Sequence, residues 1–165
     1  MSVSLAIRPA RPEDREALVE LFQGLNVYEE PFVGNRRLDR TGAEESLAAA
    51  EKKTEDNGGA RLVAEVDGRV VGHLFLVWER HGACVRDEVR THGYISVLFV
   101  REELRGRGIG RALLLEAERL TRERGLDHML LGVLNGNRVA ERAYARFGFR
   151  TYATDLIKPV GPGLK

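Results

Sequence analysis

The stretch Tyr94-Ile95-Ser96-Val97-Leu98-Phe99-Val100 runs through Arg101-Glu102-Glu103-Leu104 into Arg105-Gly106-Arg107-Gly108-Ile109-Gly110-Arg111-Ala112. The first seven residues are an unbroken β-prone run, as expected for a strand covered on both faces. After the glycines, Ile109, Leu113, Ala117 and Leu120 recur at helical spacing up to Gly125. The glycines therefore lie in a tight passage from a buried strand into a helix. Glycine lets the backbone approach a ligand closely and take conformations other residues resist. The first N–H groups of the helix have no intrahelical partner, and they carry the positive end of its dipole. With Arg105, Arg107 and Arg111 around them, they form a receptor for an anion. A P-loop is excluded, because no Lys-Ser/Thr pair closes the turn. The spacing G-x-G-x-G also misses the dinucleotide fingerprint G-x-G-x-x-G, and it falls late in the chain. On its own the turn identifies an anion site at a helix N-terminus, or else a basic surface loop on a helix cap.

Outward from this unit, the upstream chain reads as an edge strand over Leu5 to Arg8, ended by Pro9. A helix opens at Pro12-Glu13-Asp14 with Ala17, Leu18, Leu21, Phe22 and Leu25 on one stripe. Asn26 to Arg40, with Pro31 and Gly34, reads as a loop, and Ala43 to Lys53 as a second helix. Two strands, Leu62 to Val66 and Arg69 to Trp78, meet at Asp67-Gly68, a strong hairpin signal. His81 to Thr91 is polar and irregular. Downstream, Met129 to Leu134 reads as a buried strand. Asn137 to Phe147 reads as a helix with Ala140, Ala143, Tyr144 and Phe147 inward, capped by Gly148. Phe149 to Ile157 reads as a last strand and 159–165 as a loose tail. The expected order is β-α-α-β-β-β-α-β-α-β, an α/β fold with a mixed central sheet. The unit from Tyr94 to Leu134 is expected to be a right-handed parallel crossover.

The chain has 165 residues, one domain's worth, with 43% hydrophobic and 31% charged residues. A net charge of +1 gives no general pull toward nucleic acid or anionic membrane. One cysteine, Cys84, allows no internal disulfide. No signal-peptide pattern and no apolar run of transmembrane length is present. These features point to a reduced, cytoplasmic compartment.

A second block sharpens the reading. Asn137 is followed by Ala140 three on, Tyr144 seven on and Gly148-Phe149 eleven on. Together with Arg105-Gly106-Arg107-Gly108-Ile109-Gly110, this block resembles the GNAT superfamily of N-acetyltransferases. The opening Ile7-Arg8-Pro9-Ala10 and the hairpin around Asp67-Gly68 fit the same pattern, so the resemblance covers about residues 5 to 157. It implies a V-shaped splay between the strands at Tyr94 and Met129, with acetyl-CoA lying in the cleft. It implies that the pantetheine arm pairs with the backbone of Leu98, Phe99 and Val100. The pyrophosphate is expected on the amides of Arg105, Gly106, Arg107, Gly108, Ile109, Gly110, Arg111 and Ala112. Asn137 is expected to bond to the pantetheine side, and Tyr144 to approach the thioester sulfur. It further implies direct acetyl transfer to a bound amine, without a covalent enzyme intermediate.

Such a transfer needs a proton taken from the amine, a stabilised carbonyl oxygen and a protonated or shielded leaving thiolate. Tyr144, a phenol protonated at neutral pH, is the candidate acid. A backbone N–H at Phe99 or Val100 is the candidate oxyanion donor. The base is open, because the positions in the central strand where many family members carry a carboxylate hold Ser96 and Val97. His73, Glu79 and His92 are substitutes, as is a water chain to solvent. Tyr28, Glu29, Glu30 and Ser96 are candidates for the acceptor side, and the first three hint at a cationic amine such as a polyamine or an aminoglycoside. A protein N-terminus or lysine is the other acceptor class. Arg142, Arg146 or an arginine of the run Arg119 to Arg124 is a candidate for the CoA 3′-phosphate. His81, His128 and Cys84 show no metal-ligand spacing, so no metal is expected. The competing readings are a non-catalytic acyl-CoA-binding or sensing domain and a module binding another phosphate ligand. A homodimer is expected only as a habit of the family.

Overall fold

The structure, a computed structural model, describes residues 4–162. The end of the expected tail, 163–165, lies outside the described residues. Five strands form one sheet in the order β1-β2-β3-β4-β5. β1 (Leu5–Pro9), β2 (Ala60–Val66), β3 (Arg69–Arg80) and β4 (Thr91–Val100) pair antiparallel in sequence, and β5 (Met129–Leu131) joins β4 in parallel. The β2–β3 hairpin turns through Asp67 at φ 49° and Gly68 at φ 80°, as the Asp-Gly pair predicts.

Alternation along the strands separates two cores. Leu62, Ala64, Leu74 and Leu76 face α3 (Ile109–Glu123), against its stripe of Ile109, Leu113, Leu114 and Ala117. Val63, Phe75 and Phe99 face α1 (Arg15–Val33) and α2 (Arg40–Asp56), against Leu18, Leu21, Phe22 and Leu47. The mixed α/β class with helices on both faces is thus as expected.

Three element readings are corrected. Asn26 to Val33 is not a loop; α1 runs through it with Pro31 inside. Pro31 sits in the last turn and has no N–H to give the Val27 carbonyl, so the helix gives up one bond there. The actual stop is Gly34, left-handed at φ 63°, whose N–H bonds to the Glu30 carbonyl at 2.8 Å. Asn26 Nδ2, donating to the Arg37 carbonyl at 2.9 Å, ties the extended helix to the following segment. Second, β5 ends at Leu131 rather than Leu134 and is half-buried rather than buried. Third, Phe149 to Ile157 forms no strand. β5 offers only three residues of ladder, and the chain beyond Phe149 lies exposed. On α4 (Arg138–Phe147), Tyr144 and Phe147 pack on the α3-side core, whereas Ala143 is exposed.

A register shift fixes the geometry of the site. Val97 pairs Phe75 and Ile95 pairs Leu76, so Ser96 is the extra residue of a β-bulge. Bulges bend a strand and increase its twist. Parallel pairing with β5 covers Gly93 to Ile95 and stops there. Bend and loss of pairing coincide, and the two strands part beyond that point.

Candidate active site

Where β4 and β5 part, a cleft of about 830 Å³ opens. That is within the roughly 300–1,000 Å³ usual for small-molecule sites. One wall is β4 from Ile95 to Val100, and the other is Leu131 to Leu134 with the α4 residues Val139, Ala140, Ala143 and Tyr144. The glycine turn and the start of α3 close one end.

Gly106 and Gly108 have φ of 74° and 81°, a region where a side chain is strained. They let the chain leave a short 3-10 turn at Glu102–Leu104 and enter α3 directly. Gly108 is the N-cap and supplies no capping side chain. The Arg105 N–H bonds to the Glu102 carbonyl at 3.2 Å, and the Ala112 N–H to the Gly108 carbonyl at 2.9 Å. Among the described residues these are the only two amides of the turn so engaged. Gly106, Arg107, Gly108, Ile109, Gly110 and Arg111 therefore present successive N–H groups at a helix N-terminus, which suits a phosphate group.

The Arg105 guanidinium turns inward rather than standing beside the amides. Its Nε donates to the Val100 carbonyl at 3.1 Å, and its plane lies over the Tyr28 ring, 4.1 Å from the centroid. Arg107 and Arg111 remain exposed beside the turn. Arg146 lines the cleft. Arg119 pairs with Glu116 and Glu123, and Arg122 with Glu118, a helix face of ion pairs.

Asn137 is 8% exposed and caps α4, its Oδ1 accepting from the Ala140 N–H at 3.2 Å. The same oxygen accepts the Tyr28 hydroxyl at 3.0 Å. Both bonds use the carbonyl side of the amide, leaving Nδ2 as the group to offer to a ligand. Tyr144 lines the cleft, edge-on to Phe149. Burial, with the nearby charge of Glu29 and the Tyr28 phenol adding to it, pushes the Tyr144 hydroxyl up to about 12.

Of the acceptor candidates, Tyr28, Glu29 and Ser96 line the cleft. Glu29 is paired with Arg36 at 2.7 Å. Glu30 accepts the Arg36 backbone N–H at 2.7 Å and is not part of the lining. Ser96 Oγ donates to the Phe75 carbonyl at 3.3 Å across the bulge. The substitute bases lie elsewhere. His73 is 0% exposed on the α1 side, stacked on Phe22, and burial pushes it down to about 3. Glu79 pairs with Lys53 at 2.6 Å. His92 stands at the start of β4, beside His81 and His128. Asp155, which no motif marks, lines the cleft from the exposed chain after α4. Its only signal is spatial.

Read along the sequence the three histidines show no metal-like spacing; in the fold one ligand atom from each lies within 4.8 Å of the others.

The sequence profile of the acetyltransferase (GNAT) family matches residues 20–149, and the chain belongs to that family. The mycothiol acetyltransferase of Saccharomonospora viridis is 36% identical over 103 residues, covering 61% of this chain and 33% of that protein. The chain thus spans about a third of the length of these curated relatives. A putative acetyl transferase from Pyrococcus furiosus superposes with a TM-score of 0.74 at 24% identity, covering 95% of this chain and all of that one. An aminoglycoside N-acetyltransferase, AAC(6′)-Iy, crystallised with CoA, superposes with a TM-score of 0.69 at 16% identity, covering 96% of each chain. At these identities the solved structures share the fold. No helix among the described residues is long and apolar enough to cross a membrane.

Proposed function

We propose that the chain is an acetyl-CoA-dependent N-acetyltransferase that moves acetyl directly to a primary amine. The observation that carries this is the cleft itself. A parted β4 edge, five unengaged amides at a helix N-terminus and a protonated phenol share one cavity. The donor fits these residues. Gly106 to Arg111 hold its pyrophosphate. The β4 edge over Leu98, Phe99 and Val100 takes its pantetheine amides, and Asn137 Nδ2 donates from the other wall. Bound there, the donor supplies an activated acetyl thioester.

An amide of Phe99 or Val100 stabilises the charge that develops on the carbonyl oxygen. Tyr144 donates a hydrogen bond to the sulfur as it leaves. Its hydroxyl sits well above an ordinary thiol at about 8.5, so complete transfer of the proton to the thiolate is uphill. Tyr144 therefore shields the departing sulfur, and solvent completes its protonation. No unpaired carboxylate stands in the central strand, so the amine loses its proton through water lined by Ser96. Asp155 favours a cationic acceptor, a polyamine or aminoglycoside, over a neutral one, whereas Glu29 is already paired with Arg36.

Release of free thiol from acetyl-CoA over a panel of polyamines, aminoglycosides, amino acids and peptides tests the reading. Turnover with at least one amine is expected. Binding of CoA without turnover on any of them sinks it in favour of an acyl-CoA-binding domain, a reading the missing strand carboxylate favours. Tyr144→Phe is expected to lower kcat about 100-fold with little change in the KM for acetyl-CoA. An unchanged kcat removes the role. Because burial keeps Tyr144 protonated to about 12, kcat/KM should rise with pH as the amine deprotonates. No fall from loss of the phenolic proton is expected below about pH 11.

A further inference from the structure

At the end of the sheet away from the cleft, three chain segments converge. His81 follows β3, His92 opens β4 and His128 precedes β5. Their rings cluster in a triangle, with centroids 4.1 Å apart for His81 and His92, 5.4 Å for His92 and His128, and 5.9 Å for His81 and His128. From His92 to Ile95, where the cleft wall begins, is three strand residues, about 10 Å, and none of the three histidines lines the cleft. We propose that His81, His92 and His128 form a binding site for a divalent transition metal of the zinc type.

Three observations carry this beyond mere proximity. The first is which nitrogens are spoken for. His128 Nδ1 lies 2.6 Å from the Asp127 carboxylate, and His92 Nδ1 faces the Arg90 carbonyl at 3.4 Å. In metal sites a ligating imidazole gives its other nitrogen to a carboxylate or carbonyl, which fixes the ring and raises its basicity. Here Nε2 of both rings is left for the metal. The second is that the backbone holds the segments together without any metal. The His81 N–H bonds to the Arg90 carbonyl at 2.9 Å, and the Gly93 N–H to the His128 carbonyl at 3.1 Å. The third is reach. Tetrahedral zinc with ligands at about 2.0–2.1 Å needs nitrogens about 3.3 Å apart. One nitrogen of each ring already lies within 4.8 Å of the others, so a shift of about 1 Å per ring closes the set, and χ2 of histidine turns easily to choose which nitrogen it presents.

The chemistry of the set selects the metal. Imidazoles suit zinc, nickel and copper; calcium and magnesium require oxygen donors. Three protein ligands leave a fourth position for water or an anion. A cavity of about 510 Å³ adjoins the group, lined by His81, Asp127, His128 and Tyr152 among others, with Arg122 and Arg150 at its wall. An exogenous ligand has room there.

The test uses untagged full-length chain stripped with EDTA and titrated calorimetrically with Zn²⁺. One ion per chain is expected, with a Kd of roughly 10 µM or tighter. Co²⁺ in place of zinc should give visible bands of low-symmetry coordination. His81→Ala and His128→Ala, both at partly exposed positions, should each weaken Zn²⁺ at least about tenfold, while CoA binding reports that the variants are folded. Should either fail to fold, Asp127→Asn at an exposed side chain is expected to weaken Zn²⁺ about tenfold or more. Absence of Zn²⁺ binding by the unmodified chain overturns the proposal. So does unchanged affinity in folded His81→Ala, His128→Ala or Asp127→Asn.

Discussion

His73 is the most exacting single residue. Its two ring nitrogens are buried without a hydrogen-bond partner among the described residues, and its ring stacks on Phe22 with centroids 4.8 Å apart. Burial holds it neutral down to about pH 3, against 6.5 for the exposed group. Between those values the unfolded chain binds a proton that the folded chain refuses, so stability rises with pH and is lost as pH falls below about 6.5. From pH 7 to 5.5 the loss from this residue is about 1 kcal/mol, readable as a shift in the urea midpoint. His73→Leu should remove that part of the pH dependence. It should cost little at pH 7, because both unpaired nitrogens go with it. A slope identical in His73→Leu would contradict the assignment. The sequence showed a histidine within a strand and offered it as a substitute base. Its face of the sheet is covered by α1 and α2, far upstream, so from the strand alone a base and a core residue looked alike. Tyr144 was legible for the opposite reason: its spacing from Asn137 and Gly148 lies within one helix.

At the scale of elements, the strand, the glycine turn and α3 follow from local spacing, although β4 begins at Thr91, three residues before the expected Tyr94. What local signals missed were the points where tertiary contacts overrule them. Pro31 looked like a stop, yet α1 passes it because Leu25 and Tyr28 pack on the α1-side core. Met129 to Leu134 looked like one strand, yet pairing ends at Leu131 where β4 bends away. Phe149 to Ile157 is β-prone, but an edge of three residues cannot recruit it. The glycine turn makes its own prediction. Gly108→Ala puts a side chain at φ 81° and should cost about 1–2 kcal/mol. A fall in Tm of about 4 °C should accompany it. A weaker affinity for CoA is also expected, since the strained residue caps α3 beside the amides that take the pyrophosphate. Both are read from one thermal-shift series with and without CoA, and a Tm unchanged in both conditions would argue against a conformational demand at this glycine.

For the whole molecule, two helical layers clamp a sheet whose strands β4 and β5 have one closed end and one open end. A ligand filling the open end ties α3, α4 and β4 together. Free CoA at 100 times its Kd is therefore expected to add about 2.7 kcal/mol and to raise Tm by roughly 5–10 °C. ATP and NAD at equal concentration should do much less, and equal shifts from all three would mark a general phosphate site instead. The closed end was invisible beforehand, because positions 81, 92 and 128 meet only once the sheet is assembled. The bulge at Ser96 has a further consequence for anyone redesigning or transplanting this scaffold. One surplus residue switches inside for outside along the rest of the strand: Ile95 faces α3, and Val97 faces α1. Side chains between Ile95 and the glycine turn can be exchanged within their polarity, but their number cannot. A graft that drops one residue there would present Phe99 to the wrong layer, however faithful the rest of the copy.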